Sequence, residues 1–322
     1  MPQFAALLVT ATIVTLMFSL GLGLKDYPFV LLRDRPGLFW RVLFGTCVLV
    51  PLAGLVLVLL PLQAVLTRPA WVAMALMLVC PSAPLILFRV RGSGGTAELA
   101  ARLQIAAALL AIGSIPLLAI VFKLSLGLFG WEIDGWEIHP AKVAVQVLQV
   151  QVLPVMAGVL LGQWQPGLAQ RCSRALASLA SLLLLVMLVA LLVLSGRQLV
   201  PFVQQNLIAL AGMAVLSVLS LAIGYGLARK DPLERRTVAL VTGMRNAGLA
   251  IQLAMTYRAK MPGLIPGILS YVLITVIVST IFLRWQRREM AEAACRPLKE
   301  SPGQPSWWAV FGTVLPLPLR MA

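Results

Sequence analysis

The sequence predicts an all-α integral membrane protein, and three observations support this fold class. Of the 322 residues, 60% are apolar and only 11% are charged, and the mean hydropathy is +0.95. A soluble domain is about 25% charged, so these values exclude an ordinary water-soluble fold. The apolar residues form runs long enough to cross a bilayer as helices. The formal net charge of +15 falls mostly between those runs.

Nine stretches of the chain are long and apolar enough to span a membrane. A bilayer core of about 30 Å requires about 20 such residues in a helix. We call the stretches segments one to nine, and their ranges are 4–24, 38–62, 70–88, 97–122, 143–162, 175–195, 207–228, 237–257 and 264–283. We therefore expect a transmembrane domain over 1–285 and a cytoplasmic, Pro-rich tail over 286–322.

The basic residues predict the orientation of the chain in the membrane. Nineteen of the 26 Lys and Arg residues follow segments one, three, five and seven or lie in the tail, and six lie on the other side. Because cytoplasmic loops accumulate Lys and Arg, we expect an inner-membrane protein with a periplasmic N-terminus and a cytoplasmic C-terminus. Membrane lipids are its expected surroundings. A nucleic-acid partner is excluded because no single soluble face collects the charge.

The residue types that support metal binding or enzyme catalysis are sparse. Four cysteines form no CxxC pair, and His139 is the single histidine. No zinc site, other cofactor site or nucleophile with an acid/base partner is indicated, so we expect no cofactor and no enzyme activity.

Two segments contain residues that interrupt a helix. Segment three carries Cys80-Pro81-Ser82-Ala83-Pro84, where two prolines remove amide donors and clash with the preceding turn. Segment eight carries Thr242-Gly243-Met244-Arg245-Asn246, with a cation at membrane depth. Backbone groups released at such breaks are tolerated only where they line a cavity or are buried in protein.

The two breaks lie at matching positions of two inverted halves. Segments one to four pair in order with six to nine, and segment five has no counterpart. This arrangement is typical of secondary transporters with a midplane site. Prolines and glycines that only serve helix packing are the alternative, which two breaks at matching positions disfavour. The expected substrate-binding or crossover residues are Pro81, Ser82, Pro84, Thr242, Gly243, Met244, Arg245 and Asn246.

Several motifs resemble the bile acid:sodium symporter family, over roughly residues 13–285. Met17–Leu24 is similar to its first conserved turn, Cys80-Pro81 opens a segment like its crossover, and Gly243-Met244-Arg245-Asn246 is similar to its Gly-Met-Gln-Asn segment. The resemblance implies two inverted five-helix repeats, here without the first helix, and two crossed, broken helices. It implies a panel domain of segments one, two, five and six, and a core domain of segments three, four, seven, eight and nine.

The departures from the family fall on the positions that match its sodium ligands. Sodium is a hard cation that requires oxygen ligands, and most of these positions offer no side-chain oxygen. The altered positions are Thr46, Ile86, Leu87, Ala100, Gln104 and Val241, and Arg245 replaces a glutamine. We therefore expect both sodium sites of the family to be lost.

Arg245 offers a replacement for the missing ions. A charge at the centre of a membrane helix costs about 2.5–3.5 kcal/mol on insertion scales, so it requires a partner or a task. Its guanidinium could supply the positive charge of bound sodium, by holding the crossed helices or by contacting an anionic substrate. A structural ion pair with Glu98 is an equal alternative. Glu98 could also carry a proton, since a carboxylate removed from water binds protons more readily, or be a solvated surface carboxylate.

The function that these features predict is secondary transport. We expect a small organic anion to cross the inner membrane by alternating access without sodium coupling. A sodium-coupled, bile-acid-type symporter is one alternative, and a transport-inactive scaffold or sensor of the same fold is another. The sequence makes no prediction of the oligomeric state.

Overall fold

The computed structural model describes residues 2–24, 29–59, 66–83, 86–128, 139–229, 231–258 and 261–295. Within these ranges every regular element is a helix, which confirms the all-α prediction. The α-helices are Pro2–Leu22, Val30–Asp34, Pro36–Phe44, Val50–Leu59, Arg68–Val79, Ile86–Ser93, Ala97–Leu128, Pro140–Val147, Leu153–Trp164, Pro166–Gln205, Leu207–Leu227, Pro232–Gly243, Ala247–Arg258 and Leu264–Cys295. Two π-helical turns, Gly45–Leu49 and Leu148–Val152, lie within segments two and five.

Prolines and one aspartate start several of these helices. Pro36, Pro140 and Pro166 each occupy the first turn, where the missing N–H would have no helical acceptor and the fixed φ suits the helix. Asp231 caps Pro232–Gly243 by accepting a hydrogen bond of 3.1 Å from the backbone N–H of Leu233.

The chain is a multi-pass membrane protein. Among the described residues, seven helical stretches are long and apolar enough to cross a membrane: Pro36–Leu57, Ala97–Ser125, Pro140–Trp164, Pro166–Gln205, Leu207–Leu227, Pro232–Thr256 and Leu264–Glu289. Two shorter apolar helices, Ala6–Leu22 and Arg68–Val79, fall in segments one and three. The count of nine spans therefore stays a prediction.

Some helices extend well beyond the predicted segments. Segment six lies within the 40-residue helix Pro166–Gln205, and the helix of segment nine runs to Cys295. Polar residues extend the first of these helices at both ends and the second at its C-terminal end, past the apolar run that hydropathy detects. Packing divides the chain into a unit Met1–Leu283 and a unit Arg284–Ala322. The second unit is helical to Cys295, and the rest of the expected tail, from 296, lies outside the described residues.

The expected assignment of segment two to the panel is wrong. Its helix packs against segments three, four, seven and eight, which belong to the core. Segment one instead packs mainly against segments five and six. Hydropathy identifies an apolar helix but not its neighbours, so only the folded chain separates these groups. We therefore use panel for segments one, five and six, and core for the other segments.

Segments one and five cross at two glycines. A Cβ atom on Gly158 would lie 2.3 Å from the backbone oxygen of Phe18, and one on Gly21 would lie 2.1 Å from the backbone oxygen of Val155. The two backbones are therefore in direct contact, an approach that small residues permit between membrane helices. This crossing joins the first and middle parts of the panel.

Candidate functional site

The interruption of segment three results from the sequence around Pro81. The helix Arg68–Val79 ends before Cys80, which adopts an extended conformation, as expected for a residue that precedes proline. Ser82 then has a φ of 33°, in the left-handed region that favours glycine. The helix resumes at Ile86, and the expected site residue Pro84 lies outside the described residues.

The interruption of segment eight has a similar form. The helix Pro232–Gly243 ends at Met244, which is extended, and the next helix begins at Ala247. Asn246 caps that helix, because its side-chain oxygen accepts a hydrogen bond of 3.1 Å from the N–H of Leu249. Thr242, Gly243, Met244, Arg245 and Asn246 are all buried.

The two interruptions cross and bond to each other through their backbones. The N–H of Ala83 donates to the carbonyl of Met244 at 3.1 Å, and the N–H of Asn246 donates to the carbonyl of Cys80 at 3.3 Å. Each break thus satisfies backbone groups that the other break releases, as buried backbone requires. This reciprocal pair confirms the predicted crossing of two discontinuous helices.

Arg245 extends from the crossover to segment two. Its side chain is buried, and Nη1 donates a hydrogen bond of 2.9 Å to the backbone carbonyl of Thr46. The side-chain hydroxyls of Thr46 and Thr242 lie 3.1 Å apart in a second bond between the same segments. Thr46 and Arg245, two positions that the resemblance matches to sodium ligands, are therefore in direct contact.

The carbonyl of Thr46 is available because of the π-helical turn Gly45–Leu49. In that turn the N–H of Val50 donates to the carbonyl of Gly45 instead of that of Thr46. The next donor along the helix would be residue 51, which is proline and has no N–H. The helix therefore leaves one buried carbonyl without a helical donor, and Arg245 supplies the missing bond.

Glu98 pairs with Arg102, so the ion pair with Arg245 that was one alternative for these residues is not formed. Glu98 is 52% exposed in its side chain and bonds Arg102 at 2.6 Å, one helical turn later. The geometry favours this pair because residues four apart on a helix face each other. The burial that a proton-carrier role for Glu98 assumed is also absent. The third interpretation, a solvated surface carboxylate, matches the structure.

Most of the other positions that the resemblance matches to sodium ligands lie in an apolar environment. Ile86, Ala100 and Val241 are almost completely buried in one hydrophobic cluster, and the half-buried Leu87 packs against it. Gln104 is also fully buried, and neither end of its amide has a hydrogen-bond partner among the described residues. No group of three or more His, Cys, Asp or Glu within the described ranges could hold a metal ion.

Two cavities lie along segment one, and we call them the crossover cavity and the vestibule. The crossover cavity has a volume of about 60 Å³ and lies between segments one and six and the crossover, lined by residues that include Thr12, Met77, Arg245, Asn246 and Thr275. The vestibule is larger, about 360 Å³, and its lining includes Ser19, Leu87, Arg91, Glu98 and Arg174. Leu16 borders both cavities, so they are neighbours along the panel.

Panel and core are hydrogen-bonded away from the vestibule. Nε2 of Gln252 in segment eight donates to the hydroxyl of Thr10 in segment one at 3.3 Å. Nε2 of Gln146 in segment five donates to the hydroxyl of Thr256 in segment eight at 3.2 Å. We call the end that carries Arg91 and Arg174 the basic end, and these two bonds join the domains at the opposite end.

Sequence reasoning missed a polar group behind the crossover. Tyr271 is fully buried in segment nine and lies within electrostatic reach of Arg245. Next to it, the hydroxyls of Ser217 and Thr275 lie 3.0 Å apart. Polar residues within otherwise apolar segments are the signal that could have identified these positions, although their convergence requires the folded chain.

Comparison with known proteins identifies a family that the sequence of this chain matches. Residues 10–202 match the model of a family described as the Sodium Bile acid symporter family, which covers more than half of the chain. A search among curated proteins finds no match.

Proposed function

The chain belongs to the sodium bile acid symporter family, and from that premise we propose that it transports a small organic anion by alternating access without sodium coupling. Membership implies a membrane transporter rather than an enzyme. The observation that carries the finer proposal is the contact between Arg245 and Thr46, which places a fixed cation where the resemblance expects a sodium ligand.

The surroundings of the altered positions support independence from sodium. A sodium site requires several oxygen atoms at short distance. The side chains of Ile86, Ala100 and Val241 supply none, and their close packing in one apolar cluster leaves hydrocarbon in their place. Arg245, at the crossover, donates a hydrogen bond to a carbonyl of segment two and so brings a positive charge between these two parts of the chain.

The charge and the shape of the cavities support an organic anion as the substrate. Nε and Nη2 of Arg245 are buried without hydrogen-bond partners, so the guanidinium retains donors for a carboxylate or sulfonate. The vestibule combines apolar walls such as Leu20 and Leu87 with Arg91 and Arg174. An apolar molecule with an anionic group would match both features.

The arrangement of panel and core supports alternating access. The vestibule lies between segments one and six of the panel and segments three and four of the core, whereas Gln252 and Gln146 bond the domains at the other end. The positive-inside rule assigns the basic end to the cytoplasm of an inner-membrane protein. With that orientation the structure corresponds to an inward-facing state, and outward opening requires both bonds to break.

The driving force follows from the charge of the substrate. The membrane potential supplies about 2.3 kcal/mol per charge per 100 mV, so electrogenic uniport or proton symport can operate without sodium. Glu98 is not the proposed proton carrier, because it is exposed and paired with Arg102.

Uptake into proteoliposomes tests this function directly. Sodium, pH and potential gradients are imposed separately, with radiolabelled taurocholate and benzoate as a large and a small probe anion. We expect uptake that responds to potential or pH and not to sodium. Arg245→Gln should lower uptake by about tenfold or more, because a hydrogen bond to a charged group contributes about 1.5–3 kcal/mol. The exposed Arg197→Gln should leave uptake unchanged.

The same experiment separates the alternatives. Sodium-dependent uptake would identify a sodium-coupled symporter and contradict the proposal. Normal uptake by Arg245→Gln would show that this residue only supports the fold. If neither anion is taken up and neither raises the unfolding temperature of the purified protein, a transport-inactive scaffold or sensor becomes the better description.

A further inference from the structure

The strongest unexplained feature of the molecule is the buried charge of Arg245. The residue is only 3% exposed, and among the described residues its hydrogen bond to Thr46 joins it to a neutral carbonyl. Among the described residues, the carboxylates of Glu98 and Glu234 form ion pairs with Arg102 and Arg35 instead. A buried charge without a counter-charge is strongly unfavourable, so the site requires an anion.

The groups around Arg245 are suited to donate hydrogen bonds to such an anion. Nε and Nη2 of Arg245 and Nδ2 of Asn246 are buried and have no hydrogen-bond partner in the described part of the chain. Both residues line the crossover cavity. A cation is excluded by the guanidinium, and a neutral water molecule would leave its charge uncompensated.

The adjoining cavity limits the size and charge of the anion. Its volume of about 60 Å³ exceeds the ~10–15 Å³ that one water-sized occupant requires, yet it is small for a large organic molecule. Apolar side chains, including Ile13, Met77 and Met187, form much of its wall. Such walls disfavour strongly hydrated multivalent anions, and one positive charge matches one monovalent anion.

We propose that the crossover cavity binds one monovalent inorganic anion, for which chloride has a matching size and charge, against Arg245 and Asn246. The anion is the resident counter-ion of Arg245 in the absence of substrate. Because Arg245 is also the proposed contact of the substrate, chloride would compete with the anionic group of the organic molecule, and this competition rests on the proposed function. The binding of chloride itself does not.

Thermal unfolding of the full-length protein in nanodiscs tests chloride binding without any organic substrate. Sodium chloride and choline chloride are each titrated at constant ionic strength against gluconate, a polyhydroxylated anion whose burial against the apolar walls of the cavity is unfavourable. We expect both chloride salts to raise the unfolding temperature along the same saturable curve. A linear rise, an equal rise with gluconate, or a rise only with the sodium salt would overturn the proposal.

Two variants locate the site. Asn246→Asp keeps the oxygen that caps the next helix and removes the Nδ2 donor, so chloride should bind at least about tenfold more weakly, equivalent to the loss of one charge-assisted hydrogen bond. Arg245→Gln should abolish the chloride dependence, whereas the exposed Arg197→Gln should retain it. An unchanged chloride curve in Asn246→Asp contradicts the site even if Arg245→Gln fails to fold.

Competition separates this site from the transport function. If taurocholate or benzoate shifts the chloride curve to higher concentration, the two anions share Arg245. If chloride binds with the expected variant pattern but no organic anion is transported, the chloride site stands and the proposed function fails. If transport occurs without saturable chloride binding, the reverse holds.

Discussion

The guanidinium of Arg245 donates a hydrogen bond of 2.9 Å to the backbone carbonyl of Thr46, a residue 199 positions earlier in the chain. The bond exists because two local features coincide on segment two. The π-helical turn diverts the N–H of Val50 to Gly45, and Pro51 has no N–H to offer. The irregular turn in segment two thus provides the hydrogen-bond acceptor for the guanidinium of Arg245 in segment eight.

Pro51→Ala should weaken this linkage. The new N–H allows segment two to form a regular helix in which Thr46 accepts a helical bond, so Arg245 loses part of its acceptor. We expect a destabilisation of about 1–3 kcal/mol, the usual cost when a buried polar partner is lost. Thermal unfolding of the purified protein measures it.

A double-mutant cycle checks the cause of that loss. In an Arg245→Gln background, Pro51→Ala should cost clearly less than in the unaltered chain, because the shared bond is already absent. Strictly additive effects would mean that Pro51 acts only on the shape of its own helix.

Ser82→Gly should be tolerated and stabilise the crossover. Ser82 has a φ of 33°, which glycine adopts without the steric cost of a Cβ atom. We expect a gain of up to about 1 kcal/mol and a loss of about 1–3 kcal/mol for the β-branched Ser82→Val. Ser220→Gly is the matched control, because Ser220 is buried in a regular helix and glycine should destabilise it. Equal effects at both positions would contradict the strained conformation.

Loss of the bonds opposite the basic end should shift the protein away from the proposed inward-facing state. Gln252→Leu combined with Gln146→Leu removes the donors to Thr10 and Thr256. Each bond contributes about 0.5–1.5 kcal/mol, so the vestibule should close in a larger fraction of molecules.

Thiol labelling in nanodiscs measures that shift. Ala177 lines the vestibule. The native cysteines are first replaced, and Ala177→Cys is then introduced as the single labelling site. The rate at which a membrane-impermeant maleimide reacts with it reports the accessibility of the vestibule. We expect labelling to slow by about 2–10-fold in the double variant. Gln149→Leu, at an exposed position of segment five, is the control and should not alter the rate. An unchanged labelling rate in the double variant would show that these bonds do not control the opening of the vestibule.

Gly158→Ala should destabilise the panel. The new Cβ would lie 2.3 Å from the backbone oxygen of Phe18, so segments one and five would have to separate. We expect a loss of about 1–3 kcal/mol, as overpacking usually costs. Gly113→Ala, where no atom lies within 4 Å of the added Cβ, should instead be neutral or stabilising by helix propensity. A stable Gly158→Ala protein would contradict the close backbone contact.

Parts of the site were predictable because their causes are local. Pro81 and the glycines near Arg245 interrupt a helix in any environment, so the sequence indicated both breaks, and the structure pairs Cys80 with Asn246 and Ala83 with Met244. The partner of Arg245 was not predictable. Thr46, Tyr271 and Glu98 are all distant from Arg245 in the sequence. The composition of their segments does not indicate which of them lies nearest to the guanidinium.

The sequence by itself determined the membrane class, the apolar segments, the basic end and the two interrupted helices. These properties follow from how each residue partitions between water and lipid and from which backbone conformations it permits, independent of distant neighbours. Only the tertiary structure decided that segment two belongs to the core, that Glu98 bonds Arg102, and that Arg245 bonds Thr46. Which residue bonds to which depends on their distance in the folded chain. In a bundle of apolar helices, many arrangements of neighbouring helices are compatible with the same hydropathy.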